Sequence, residues 1–400
     1  METTEIRKSP VREMLGCALP IFWAGIICFS YPGIMTTYWQ ERYHVGSTET
    51  GLVLTFMLVA LAVSMFFSGK IHLRFGMQKC ILIGGALYVL SFLVLMGAGN
   101  IYMVYLWAFL ANLGCSFIYG PGMATGQQAM PEKRGLASGI LNLVFGLSAA
   151  FMSPVLEWML NNVGYEKTNL MLTVCIAVFY LLGMLCMGRD GGKMKGGGKN
   201  VVPAEGDYTV KQALKTGDFW IIWTMWAFAG AAGISMVSLA KEYSLAVGIA
   251  GVSILAGYNI ANGVGRIFMG ILTDKIGGEV TLVGAFSIMA AGYLLLPHVG
   301  SALLITLCAS CAGIGLGGLF TVSSPLVSKR FGLTYFGMIF GIVYTAYGLV
   351  GGVVGPAGAG FVLEKTGGDF LLVFTYLGIF AAIGAALMLW LKKRRDKRES

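Results

Sequence analysis

Apolar runs of about twenty residues, separated by short polar turns, recur from one end of this chain to the other. An α-helix must be about that long to cross hydrocarbon roughly 30 Å thick. In that medium the backbone has to satisfy its own hydrogen bonds, which a helix does within one segment. We place twelve such runs, at 14–38, 49–69, 80–98, 101–128, 135–159, 168–187, 218–240, 249–270, 280–298, 301–327, 336–362 and 369–391. Of 400 residues, 56% are hydrophobic and only 12% charged, and mean hydropathy is +0.76. A soluble domain carries about 25% charged residues. The expected fold class is an all-α membrane protein with twelve transmembrane helices. The first twelve residues are polar and the first apolar run is full-length, so no cleaved leader is expected.

The longest break, 188–217, contains Gly191-Gly192-Lys193-Met194-Lys195-Gly196-Gly197-Gly198-Lys199. Gly and Lys in this density predict a flexible basic linker. It divides the chain into an N-terminal six-helix bundle (1–190), a linker (191–217) and a C-terminal six-helix bundle (218–400). The basic residues then fix the orientation. Arg42, Lys167, Lys241 and Lys365 fall on one side and Arg266 lies within a segment, which leaves 23 of the 28 lysines and arginines on the other side. Positive charge gathers in cytoplasmic loops. Both termini and the linker are therefore expected in the cytoplasm of a cell whose plasma (inner) membrane the chain spans many times. This bias accounts for the net charge of +9 without a nucleic-acid partner. The tail Lys392-Lys393-Arg394-Arg395-Asp396-Lys397-Arg398 is expected to meet anionic lipid head groups.

Eight cysteines, most of them in apolar segments, and three histidines near loop ends predict no metal site, cofactor or disulfide scaffold. Trp39, Trp107, Trp158 and Trp390 stand near segment ends and are expected as interfacial anchors. Tyr31-Pro32 is expected to bend the first segment.

One charge stands apart. Arg266 lies near the middle of the eighth segment. A fixed positive charge at that depth costs about 2.5–3.5 kcal/mol on insertion scales. Arginine cannot shed the cost by losing its proton. Asn262 and Asn259 lie four and seven residues before it, so the three project near one helix face, with Tyr258 close by. Such a polar stripe is expected to line a cavity. A guanidinium offers a fork that matches a carboxylate with two parallel hydrogen bonds. Tyr119, Tyr344 and Tyr347 can add donors and an aromatic wall, and Leu316 and Phe320 suit a short alkyl group.

The two halves repeat a loop. Gly69-Lys70-Ile71-His72-Leu73-Arg74-Phe75-Gly76 follows the second segment, and Gly270-Ile271-Leu272-Thr273-Asp274-Lys275-Ile276-Gly277 follows the eighth, 201 residues later. Both read Gly-x₄-basic-x-Gly. Six plus six segments with this repeated loop resemble the major facilitator superfamily. The resemblance covers the whole chain. It implies two bundles related by a pseudo-two-fold axis, a central site between them and alternating access. It gives a gating role to Gly69, Arg74, Gly270, Asp274, Lys275 and Gly277. The first copy departs from the pattern, with Leu73 where the family carries an acid.

Within that fold three stretches narrow the choice. They are Tyr119-Gly120 with Pro131-Glu132-Lys133-Arg134-Gly135-Leu136-Ala137-Ser138-Gly139, Asn262-Gly263-Val264-Gly265-Arg266, and Phe219-Trp220-x₂-Trp223. Together they are similar to the oxalate/formate antiporter family and the related monocarboxylate transporters. The resemblance implies that Arg266 binds the substrate carboxylate, that Tyr119 lines the cavity and that Asn262 assists. Oxalate carriers hold a second cation on the eleventh helix, where this chain has Tyr347. Their tenth-helix aromatics align with Leu316 and Phe320. Animal-type monocarboxylate carriers pair the arginine with an aspartate, where this chain has Asn262, a side chain that does not titrate.

One central cation suits one carboxylate, because a dianion would leave a buried charge unmatched. The expected function is secondary active transport of small monocarboxylates of the lactate, pyruvate and formate class by a monomeric carrier. A coupling proton or a counter-anion remains open, so symport and antiport stand side by side. An oxalate/formate-type exchanger is the alternative. A transporter-like membrane sensor is the alternative of another class. No clustered acids or His/Asp pair favour a membrane enzyme.

Overall fold

A computed structural model describes residues 9–45, 47–187, 206–249 and 251–399. The glycine-lysine run of the linker lies outside the described residues. The first segment forms α1 (Pro10–Gly25), a π-turn (Ile26–Ser30) and α2 (Tyr31–Tyr43). The expected bend at Tyr31-Pro32 is thus a π-turn ending at the residue before Tyr31. Then follow α3 (Ser47–Phe75), α4 (Met77–Met96), α5 (Ile101–Ala129), α6 (Arg134–Val163) and α7 (Tyr165–Met187). After the short α8 (Val210–Leu214) come α9 (Gly217–Ala246), α10 (Gly251–Ile276), α11 (Gly278–Leu295) and α12 (Ala302–Phe331). The eleventh segment is α13 (Phe336–Thr345), two π-stretches (Ala346–Gly351 and Val353–Ala357) and α14 (Gly358–Thr366), and α15 (Phe370–Glu399) is last. Its glycines and Pro356 fall where the α-helical ladder gives way, as π-bulges require.

Among the described residues, eleven helices are long and apolar enough to span a membrane. The long helix outside that set is α10, which carries Arg266, Asn259 and Asn262. At 26 residues it is about 39 Å long, enough to span by length. Its polar stripe dilutes its apolar character. Ile260, Val264 and Phe268, four residues apart, are exposed on it and form the stripe a lipid face needs.

The repeat read in the loops extends to the helix caps. Gly76 (φ 77°) and Gly277 (φ 89°) begin α4 and α11 in a left-handed conformation that a side chain would strain. Asn100 and Ser301, again 201 residues apart, cap α5 and α12 by accepting from the N–H groups of Met103 and Leu304.

By its contacts the chain divides into two compact units. One holds residues 1–132, 144–207 and 333–338, the other 133–143, 208–332 and 339–400. The start of α6 therefore packs with the second unit and the turn leading into α13 with the first.

In the first unit Trp39 and Trp107 are fully buried against each other, with ring centroids 5.5 Å apart, and against Tyr31. This corrects their expected role as interfacial anchors. Position near a segment end does not say which way a ring points, and these two point into the helix bundle. Trp158 and Trp390 are 60% and 52% exposed, as anchors would be. In the second unit Asp218 and Glu279 stand in the first turns of α9 and α11, where a helix N-terminus favours negative charge. Arg394 lies 3.1 Å from Asp218 and Arg395 3.0 Å from Glu279, while Arg330 also pairs with Asp218. Two arginines of the basic tail clamp the end of α15 to α9 and α11.

Candidate substrate site and loop contacts

Arg266 is 2% exposed. Its Nη1 donates to the backbone carbonyl of Asn142 on α6 (2.6 Å), and its Nε donates to the side-chain oxygen of Asn262 (3.3 Å). Neither acceptor carries a charge. The guanidinium carbon stands 5.5 Å from the centroid of the Phe320 ring, a cation–π distance. This approach needs glycine on α12. A Cβ at Gly317 would come 2.6 Å from the Asn262 carbonyl oxygen and 3.4 Å from Cγ of Arg266. The same holds on α6, where a Cβ at Gly139 would meet the Arg266 carbonyl at 3.1 Å.

Phe320 joins the arginine to an aromatic cluster. Tyr347 and Trp226 each lie 5.3 Å from it by ring centroids, and Tyr344 lies 5.9 Å away. Trp226 of α9 touches all three and Phe340 besides. The structure thus brings Arg266, Asn262, Phe320, Tyr344 and Tyr347 into one cluster. Leu316, one turn before Phe320, packs on α9, where a Cβ at Gly233 would come 2.7 Å from its methyl carbon. Asn259 is exposed, two turns along α10 from the arginine. Tyr258 leaves the expected polar stripe, since its buried hydroxyl donates to the Gly233 carbonyl at 2.9 Å. Tyr119 belongs to the first unit, buried against Phe145 with ring centroids 4.8 Å apart. Asn142 and Trp226 escaped the sequence reading. Asn142 carried the signal that marked Asn262, a carboxamide inside an apolar run. Trp226 continues the spacing of three set by Trp220 and Trp223.

The loop motif is held differently in its two copies. In the second, both oxygens of Asp274 accept, at 2.9 Å each, from the backbone N–H groups of Gly135 and Leu136 in the first turn of α6. A carboxylate there satisfies two donors that the helix leaves open and opposes its dipole. Gly270 brings the backbones together, since a Cβ on it would lie 2.6 Å from the Gly135 oxygen. Lys275 is exposed. In the first copy Gly69 makes the same kind of approach, with a Cβ 2.5 Å from Gly337 and Met338. Leu73 brings no carboxylate, and Arg74 is exposed, 5.0 Å from the Phe75 ring. The acid at this junction comes from Asp207, which accepts from the Thr334 N–H at 2.9 Å, just ahead of α13.

Among the described residues, all-helical structure with this many apolar spans and a repeated loop defines a polytopic membrane protein. The major facilitator superfamily family model matches residues 18–239 and again 228–400, and the chain belongs to that superfamily. It is 25% identical over 322 residues to the oxalate:formate antiporter of Oxalobacter formigenes, covering 78% of this chain and 75% of that one. It is 23% identical over 395 residues to monocarboxylate transporter 13 of Rattus norvegicus, covering 93% and 87%. Among solved structures, the proton:xylose symporter XylE superposes with a TM-score of 0.76 at 14% identity, over 95% of each chain. That likeness concerns the fold. The protein is a multi-pass integral membrane transporter that handles a small molecule.

Proposed function

We propose that this transporter carries small monocarboxylates of the lactate, pyruvate and formate class, with Arg266 as the carboxylate anchor. The observation that carries the reading is a guanidinium buried halfway along a spanning helix and held by the Asn142 carbonyl and Asn262 amide beside an aromatic cluster. A cation is costly at that depth, and membrane proteins retain such groups for ligands and ions. Neutral acceptors orient the fork. Few polar groups among apolar and aromatic side chains suit a small ligand. The similarity to an oxalate:formate antiporter and to a monocarboxylate transporter favours the same substrate class. Tyr347 in place of a second cation favours one carboxylate over two. Tyr119 is proposed to line the path from the other bundle, in alternating access between the bundles 1–190 and 218–400. Both termini are proposed to be cytoplasmic, at the plasma (inner) membrane.

Asn262 cannot take up a proton, so the bound anion is proposed to offset the charge of Arg266 during gate closure. Exchange of anions then outruns return of the empty carrier. Purified protein in liposomes, loaded with unlabelled lactate or with buffer alone, gives both rates. Labelled lactate should enter the preloaded liposomes faster. Equal rates without a pH gradient would remove this coupling. A thermal-shift screen of short organic acids tests the site itself: stabilisation by monocarboxylates should vanish in Arg266→Gln.

A further inference from the structure

Lys79, Leu82, Ala86, Leu90 and Leu93 follow one another along α4 at spacings of three and four, so they share one helix face. All five are exposed. Beyond Lys79 this face lines a cavity of about 430 Å³ whose other wall is α7, with Ala177 and Leu181. Its floor is the buried Tyr180 ring, seated against Gly85, where a Cβ would come 2.8 Å from it. From Ile81 to Leu93 the cavity runs about 18 Å along α4. One leaflet of a hydrocarbon core roughly 30 Å thick is about 15 Å deep. Spread over its length, 430 Å³ makes a channel about 24 Å² in section and roughly 5–6 Å across, whereas a helix with its side chains needs about 10–12 Å. The space suits a methylene chain and is too narrow for a helix of a second copy.

Two cations stand at the end of this cavity where α4 begins and α7 finishes. Lys79 continues the lining face of α4. Arg12 of α1 donates from Nη2 to the carbonyl of Leu185 at 3.1 Å, one residue past the lining Met184. Gln78, next to Lys79, donates to the Met184 carbonyl at 3.3 Å, so three helix ends meet here. All of these residues belong to the first unit. Both cations are exposed, and neither has an ion-pair partner among the described residues. Glu13, the acid adjacent to Arg12, stands about 100° round the helix from it. We propose that this cleft binds one anionic phospholipid, with an acyl chain between α4 and α7 and the head-group phosphate on Arg12 and Lys79. Arg12 gives one of its N–H donors to Leu185 and keeps others free for a phosphate, and Lys79 adds a point charge. Basic pockets between spanning helices hold anionic head groups in this way. Chain and head group are held by separate features, so each can be removed without the other.

The test is native mass spectrometry of the purified full-length protein in detergent, titrated with phosphatidylglycerol or with phosphatidylcholine of the same acyl chains and read on the first lipid bound. The wild type should bind phosphatidylglycerol about tenfold more tightly or better, the scale of two basic residues beside an anionic head group. Arg12→Gln combined with Lys79→Gln should bring that ratio down to about one. Ala86→Phe, which puts a ring into the cavity, should remove the first bound molecule of either lipid. All three positions are exposed, and either variant decides the matter where the other fails to fold. A wild-type ratio near one overturns the proposal, as does a ratio that survives removal of both charges or full binding in Ala86→Phe. A protein dimer that forms without added lipid and is broken by Ala86→Phe overturns it too, and gives the cleft to a second copy of the chain.

Discussion

The second and eighth segments, α3 and α10, carry one loop frame and diverge along the helix that leads into it. Counting from the shared first glycine, α10 has Asn262, Arg266 and Asp274 where α3 has Leu61, Met65 and Leu73. All three first-unit residues are buried apolar side chains. Their second-unit counterparts hold a carbonyl of α6, orient a guanidinium and bind two N–H groups of α6. The glycines that let backbones meet are common to both. The comparison separates what the fold needs from what one half adds. Close helix approach is structural and duplicated, whereas the charges of Arg266 and Asp274 sit in one copy.

The largest break expected in this comparison comes from the charge. Arg266→Gln should cost monocarboxylate binding about 100-fold or more, the scale of a desolvated ion pair, while Met65→Gln should leave that affinity near wild type; titration calorimetry on both proteins decides. Next come the shared glycines. Gly69→Ala and Gly270→Ala each force a methyl within about 2.6 Å of backbone, closer than real contacts reach. Each should lower stability by about 1–3 kcal/mol, the usual penalty of overpacking, and by similar amounts, read from melting in detergent. If only one is harmful, the junctions are not equivalent. Asp274→Asn keeps the shape and removes the charge from the start of α6. A loss of about 1 kcal/mol is expected, weakened by added salt in the wild type. The smallest effect belongs to Asp207→Asn, which retains an acceptor for Thr334 and should shift stability by a few tenths of a kcal/mol. A larger loss there than at Asp274 would mean that the linker acid is the stronger latch.

Much of this was legible beforehand. The spans, the 201-residue repeat and the depth of Arg266 follow from apolar run length and from the cost of charge in hydrocarbon, which are local properties. Less legible were the directions of side chains that a run of apolar residues leaves undefined. Trp39 and Trp107 read like Trp158 and Trp390, yet two are buried and two exposed. Tyr258 read as one of a polar stripe, yet its hydroxyl is held by Gly233. The tail arginines read only as a basic run expected at lipid head groups, and which acids Arg394 and Arg395 meet, at the starts of two other helices, was not legible.

The chain by itself determined that helices would cross a membrane, that its halves would echo each other, and that one guanidinium would lie halfway along a span. Those follow from hydropathy, spacing and a proton that does not leave. Only the tertiary structure decided what that guanidinium touches. The Asn142 carbonyl and the Phe320 ring reach it from two other helices. Helical periodicity orders residues along one helix and says nothing of which helix stands opposite, a choice made by packing glycine against backbone.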